Sequence, residues 1–113
     1  MRLATEAVAK APENSDFQGT LGAALYRLGD LDKAMPALTE AIRLRKPDDP
    51  LSSFDHYYLA MAQWRSGHHT EAQESFTQAE TLANTLPDSD KKLHGEPLAL
   101  LRAETLGILG PAQ

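Results

Sequence analysis

The chain contains no cysteine, which excludes a disulfide framework and a thiol nucleophile but does not separate a reducing compartment from a periplasmic one. Valine and isoleucine are scarce, three residues together against 34 alanines and leucines in 113. β-Branched side chains favour strands and straight ones favour helices, so strand-based folds recede and an all-α protein is expected. No uncharged run exceeds the ten residues from Phe17 to Tyr26, well short of the roughly 18 apolar residues that a membrane span needs. Glu6 stands where a secretory signal would carry its apolar run, so a cytoplasmic chain is expected. Positive charge is in deficit, with 11 Lys+Arg against 16 Asp+Glu and a formal net charge of −5. Nucleic acid and anionic membrane surfaces are therefore disfavoured as partners, because both require basic patches that displace counterions. The two short basic groupings, Arg43-Leu44-Arg45-Lys46 and Lys91-Lys92, read as solvated faces. Glycine-rich phosphate loops, the serine elbow and the paired-histidine zinc-protease spacing are missing.

What is present is repetition. Leu21-Gly22-x-x-Leu25-Tyr26-Arg27-x-Gly29, followed by Ala34, Leu38 and Ala41, recurs 38 residues later as Leu59-Ala60-x-x-Gln63-Trp64-Arg65-x-Gly67, followed by Ala72, Phe76 and Ala79. Each copy holds two helix-period apolar patterns divided by a glycine, so each is a helix, a tight turn and a second helix. Gly29 and Gly67 sit where a first helix would end in a left-handed residue, and Asp30 can then cap the second. Thr70-Glu71-Ala72-Gln73 has the form of a capping box. Lys46-Pro47-Asp48-Asp49-Pro50 forms a loop, with Ser52 or Ser53 as the next cap. Pro36, one turn inside a helix, is expected to bend it.

At these positions the chain resembles the tetratricopeptide repeat. With Ser15 as first position, Leu21 and Gly22 fall on the Leu-Gly step, Gly29-Asp30 on the turn, and Ala34, Leu38 and Ala41 on the second helix. A second repeat opens at Ser53 after a four-residue insertion; Gln18, His56 and Gln63 depart from the bulkier residues of the pattern. Gly22, Ala34, Ala41, Ala60, Ala72 and Ala79 are small where paired helices approach. The resemblance implies an all-α, right-handed solenoid of about six antiparallel helices. Residues 1–14 would be the second half of a truncated repeat, with a helix over about 3–10; 15–48 and 53–86 would be full repeats. A polar connection over 88–92 would lead to a solvating cap helix over 96–110, opened by Glu96-Pro97, with Leu98, Leu101, Thr105 and Ile108 on its inner face. Phe54 to Ala62 and Leu101 to Glu104 are also similar to the repeat tails of large bacterial proteins that carry serine/threonine kinase or β-propeller modules.

The resemblance implies a non-catalytic scaffold that binds a peptide or protein in a concave groove lined by the first helix of each repeat. The groove positions carried over are Gly19, Thr20, Ala23, Tyr26 and Arg27, then Tyr57, Tyr58, Met61, Trp64 and Arg65. Tyr, Trp and Arg are the residue types that dominate interface energetics, although each ring has a core alternative between helices. The chaperone-binding subtype is set aside, since Gly19 and Ala23 stand where it carries Lys and Asn. Arg27 and Arg65 would suit an acidic group, so a partner with an aromatic or aliphatic anchor near one acidic residue is expected. No catalytic residue, cofactor or metal is expected: adjacent His68 and His69, with His56 in the same repeat, lack a third ligand at recognisable spacing. Two other readings stay open. One is homo-oligomerisation through the N-terminal half repeat; the other is a docking or regulatory tail of a larger enzyme.

Overall fold

A computed structural model of the chain describes residues 14–46 and 49–110, and these form five helices: α1 (Ser15–Leu28), α2 (Leu31–Leu44), α3 (Leu51–Arg65), α4 (His69–Asn84) and α5 (Asp88–Leu109). The helix expected over about 3–10 lies outside the described residues. Among the described residues no helix is long and apolar enough to cross a membrane.

The repeat is visible in the turns. α1 starts where the Asn14 side chain accepts from the backbone N–H of Asp16 and Phe17, at 2.9 and 3.1 Å. It ends at Gly29, whose φ of 85° only glycine adopts without strain, and Asp30 N–H then reaches back to Leu25 O at 2.9 Å. Thirty-eight residues on, Gly67 has φ 87° and His68 N–H reaches Gln63 O at 2.8 Å, the same turn built twice. Asp30 caps α2 by accepting from Lys33 N–H.

Two expected caps do not form. α4 begins at His69 with no side-chain cap, and Thr70 lies inside it. The left-handed glycine returns the chain to helical conformation at once, so the cap position falls on His68, the equivalent of Asp30. α3 begins at Leu51 after Pro50, with the Asp49 carboxylate accepting from Leu51 N–H at 2.9 Å; Ser52 and Ser53 are buried helical residues. α2 runs continuously through Pro36, which is exposed and whose ring removes a single interior hydrogen bond. The last helix also starts earlier than expected, at Asp88. Asp88 and Asp90 in its first turn complement the helix dipole, and Pro97 becomes an interior residue on the exposed side.

α1 and α2, then α3 and α4, pack as antiparallel pairs, and α5 lies beside α3. Phe54 meets His94 near the starts of α3 and α5, while Trp64 packs against the cluster that contains Leu109 near their ends, so these two helices run in the same direction. Ala34, Ala41, Ala60, Ala72 and Ala79 are fully buried where helices meet. Gly22 is needed for close approach: a Cβ there would stand 2.5 Å from Leu38 Cγ. Leu98, Leu101, Thr105 and Leu109 turn the inner face of α5 into this core. Its outer face is not that of a polar cap, because Leu93 and Leu100 are 70% and 67% exposed.

Candidate partner-binding face

Tyr26 and Arg27, at the end of α1, stand beside Tyr58 and Arg65 of α3. The buried Tyr26 ring meets Tyr58 edge-on, with centroids 5.9 Å apart and planes at 66°. Its hydroxyl accepts from Arg65 Nε at 2.8 Å. The Arg27 guanidinium lies 5.7 and 5.3 Å from the Tyr26 and Tyr58 ring centres, and that of Arg65 lies 5.5 Å from Tyr26, all within cation–π range. Glu104 of α5 grips Arg27 with both oxygens, one at 2.8 Å from Nη2, and Nη2 also reaches the Tyr58 hydroxyl at 3.3 Å. That grip holds the Glu104 carboxyl below its ordinary range, against a weaker upward push from burial. An open cleft of about 520 Å³ is lined here by Tyr26, Arg27, Leu28, Leu31, Arg65 and Glu104.

A second cavity, of about 280 Å³, lies between the same two helices and is lined by Thr20, Ala23, Phe54, Tyr58 and Asp16 among others. Tyr58 belongs to both places, since it lines this cavity and touches Tyr26 and Arg27 of the cleft. Gly19 also lines the cavity, but its role is packing: a Cβ would stand 2.8 Å from both Arg45 Nη2 and Asp55 Oδ1. Behind it the Arg45 side chain is 4% exposed and bonds Asp16 at 2.9 Å, Asp49 at 3.4 Å and Asp55. Arg45 is therefore no solvated residue, contrary to the expectation for its basic run. Burial lifts the Asp55 carboxyl to about 6, with Arg45 pulling it back.

Of the seven residues singled out by the repeat pattern, four meet here: Tyr26, Arg27, Tyr58 and Arg65. Tyr57, Met61 and Trp64 do not join them. Tyr57 is 1% exposed; its hydroxyl donates to Glu80 at 2.5 Å, its ring meets Phe76 of α4, and burial pushes the phenol pKa upward. Met61 is wholly buried. Trp64 packs against Ala60, Ala72 and Leu109 and stacks on His69, with centroids 3.9 Å apart. The reason lies in the position of α3, which has α2, α4, α5 and part of α1 against it. Little of its circumference stays open, and at 3.6 residues per turn adjacent rings point in different directions. The histidines are likewise dispersed: His56 Nδ1 lies 2.8 Å from Ser52 O, while His69 lies on Trp64. Among the described residues no group of three His, Cys, Asp or Glu is placed to hold a metal.

Glu104 and Phe54 were missed by sequence reasoning. Both sat in segments that resembled repeat tails, but only the folded position of α5 sets Glu104 against Arg27.

A tetratricopeptide repeat family model matches residues 14–85, from the Asn14 cap of α1 to the end of α4. The chain belongs to the tetratricopeptide repeat family. No curated protein and no solved structure matches it significantly. Tetratricopeptide repeats are in general protein-interaction modules and non-catalytic scaffolds. In this member α5, beyond the matched stretch, adds the carboxylate that closes one side of the cleft.

Proposed function

We propose that this tetratricopeptide domain binds a peptide segment along the α1–α3 face, with an aromatic or aliphatic anchor beside Tyr58 and Leu28 and one acidic group at Arg65. The observation that carries the reading is the unequal engagement of the two guanidinium groups in the cleft. Arg27 is held by Glu104 on both Nη atoms. Arg65 is exposed, lines the cleft and bonds the Tyr26 hydroxyl through Nε, and no carboxylate among the described residues engages its Nη groups. A carboxylate takes a guanidinium edge bidentately, with more geometric specificity than a point charge gives. Leu28, 66% exposed at the mouth of the cleft, offers the apolar contact beside it.

Selection from a phage-displayed random peptide library tests this. Sequences with Asp or Glu within a few residues of an aromatic or Leu are expected to be enriched on the wild-type domain and lost on Tyr58→Ala/Arg65→Ala. The same peptides recovered on the folded double variant would remove this face as the binding surface.

A further inference from the structure

α1, α3 and α5 are each followed within two residues by a glycine of positive φ, Gly29, Gly67 and Gly110, at 85°, 87° and 87°, although Gly110 leaves its helix extended, with ψ 177° against 8° at Gly29. Counting back from these glycines puts three sets of positions in register. Seven residues before each lie Gly22, Ala60 and Ala103; ten before lie Gly19, Tyr57 and Leu100. In α1 and α3 three of these four positions receive the following helix, while Gly19 meets Arg45, just past α2, and Asp55. Gly22 abuts Leu38 of α2. Ala60 packs with Ala72 of α4, and Tyr57 packs on Phe76 and bonds Glu80. Tyr57 is 1% exposed and Ala60 is wholly buried. On α5 the same positions stand open: Leu100 is 67% exposed, Ala103 is exposed, and Leu93, two turns earlier on the same stripe, is 70% exposed. α5 is thus built as the first helix of a third pair, and no second helix covers it among the described residues.

The chain also contains a second-helix pattern without a described first helix. Ala4-x-x-Ala7-Val8 repeats the spacing of Leu38-x-x-Ala41-Ile42, and Ala7 precedes Ser15 by the interval that separates Ala41 from Ser53 once the four-residue insertion is removed. We propose that residues 3–11 of one copy dock on the outer face of α5 of a second copy, completing a repeat between two molecules. Docking within one molecule is disfavoured by reach. α3 packs against both α1 and α5, which meet through Arg27 and Glu104 at the end of α1 remote from Asn14, and residues 12–14 span at most about 10 Å in a molecule 37 Å by 34 Å by 20 Å. The contact joins unlike surfaces, so it does not close on itself, and copies add head to tail.

Sedimentation equilibrium over a concentration series tests the proposal with the full chain. The weight-average mass is expected to rise above 12.3 kDa with concentration. Leu100→Asp, at an exposed site where circular dichroism should not change, and Ala7→Asp/Val8→Asp are each expected to weaken association at least about tenfold. Each variant lacks a different half of the junction, so an equimolar mixture of the two should form a one-to-one pair that neither forms alone. A wild-type chain that stays at 12.3 kDa up to about 1 mM, a concentration that reveals even weak association, overturns the proposal. So does unchanged association of Ala7→Asp/Val8→Asp, which would mean pairing of α5 with itself, or failure of the mixture to pair.

Discussion

At one end of the seam between α1 and α3, Arg45 is 4% exposed among three carboxylates; at the other, Arg27 is 50% exposed and bonds one carboxylate and a tyrosine hydroxyl. Both are arginine–carboxylate clusters that join non-adjacent parts of the repeat. Burial separates their roles. A charge removed from water must keep its partners, so the Arg45 cluster is a fixed joint between the two repeats. A charge still in water can exchange one carboxylate for another at little cost, so the Arg27 cluster can meet a ligand. The same chemical pair is structure in one place and a candidate recognition surface in the other.

The comparison is tested most severely by Arg45→Met. At pH 7.5 the variant leaves the buried Asp55 carboxylate uncompensated, and a loss of about 3–5 kcal/mol in urea denaturation is expected. That loss should shrink as pH falls, because without Arg45 nothing offsets the upward push of burial on Asp55 and the carboxyl takes up a proton more readily than in wild type. A loss under about 1 kcal/mol would mean that the cluster is as dispensable as a surface pair.

Next in size is a pH dependence. The Asp55 carboxyl is lifted to about 6 in the fold from an unfolded value of 3.8. The native state therefore holds a proton that the unfolded chain releases. The stability this gives is fully present below pH 3.8 and lost as pH rises through 6, a span of about 3 kcal/mol. Glu104, whose carboxyl is lowered by Arg27, acts in the opposite sense: its contribution is present above the ordinary carboxylate range and lost as pH falls. Stability of wild type minus Asp55→Asn should fall between pH 4 and 6.5, while wild type minus Glu104→Gln should not. Parallel profiles would show that the two clusters share one environment.

The contrast between the clusters was only half legible in the amino-acid sequence. The helix pairs, their glycine turns and the alanine contacts were readable because each rests on local rules: a left-handed residue, a small residue, a 3.6-residue period. Tyr26, Arg27, Tyr58 and Arg65 could be placed because the family pattern carries helix faces. Tyr57 and Met61 could not, since their burial depends on how α4 and α5 close over α3. Arg45 looked solvated for the same reason: Asp16, Asp49 and Asp55 converge on it only after α1 and α3 pack. Asp88 to Lys92 looked like a loop because they are polar, but as a first helical turn their carboxylates suit the helix dipole.

A smaller effect is expected from Gly19→Ala, which sets a methyl 2.8 Å from Arg45 Nη2 and Asp55 Oδ1. Both atoms are side-chain tips, but their groups are held by the bonds of Arg45 to Asp16, Asp49 and Asp55, so a cost of about 1–3 kcal/mol should appear in thermal or urea unfolding. No measurable loss would show that the buried joint yields more easily than its exposure suggests.

Least costly of all should be Glu104→Gln. Arg27 and Glu104 are 50% and 35% exposed, so water and salt screen the pair, and the loss should stay below about 1 kcal/mol. In 1 M NaCl, where charges are screened within about 3 Å, the difference from wild type should vanish. Binding should respond in the other direction. Releasing Arg27 gives the cleft a second available guanidinium, so peptides selected for an acidic residue should bind Glu104→Gln more tightly than wild type. A variant that loses several kcal/mol would make the Arg27 cluster a second fixed joint. One that binds such peptides more weakly would assign Glu104 to the recognition surface itself.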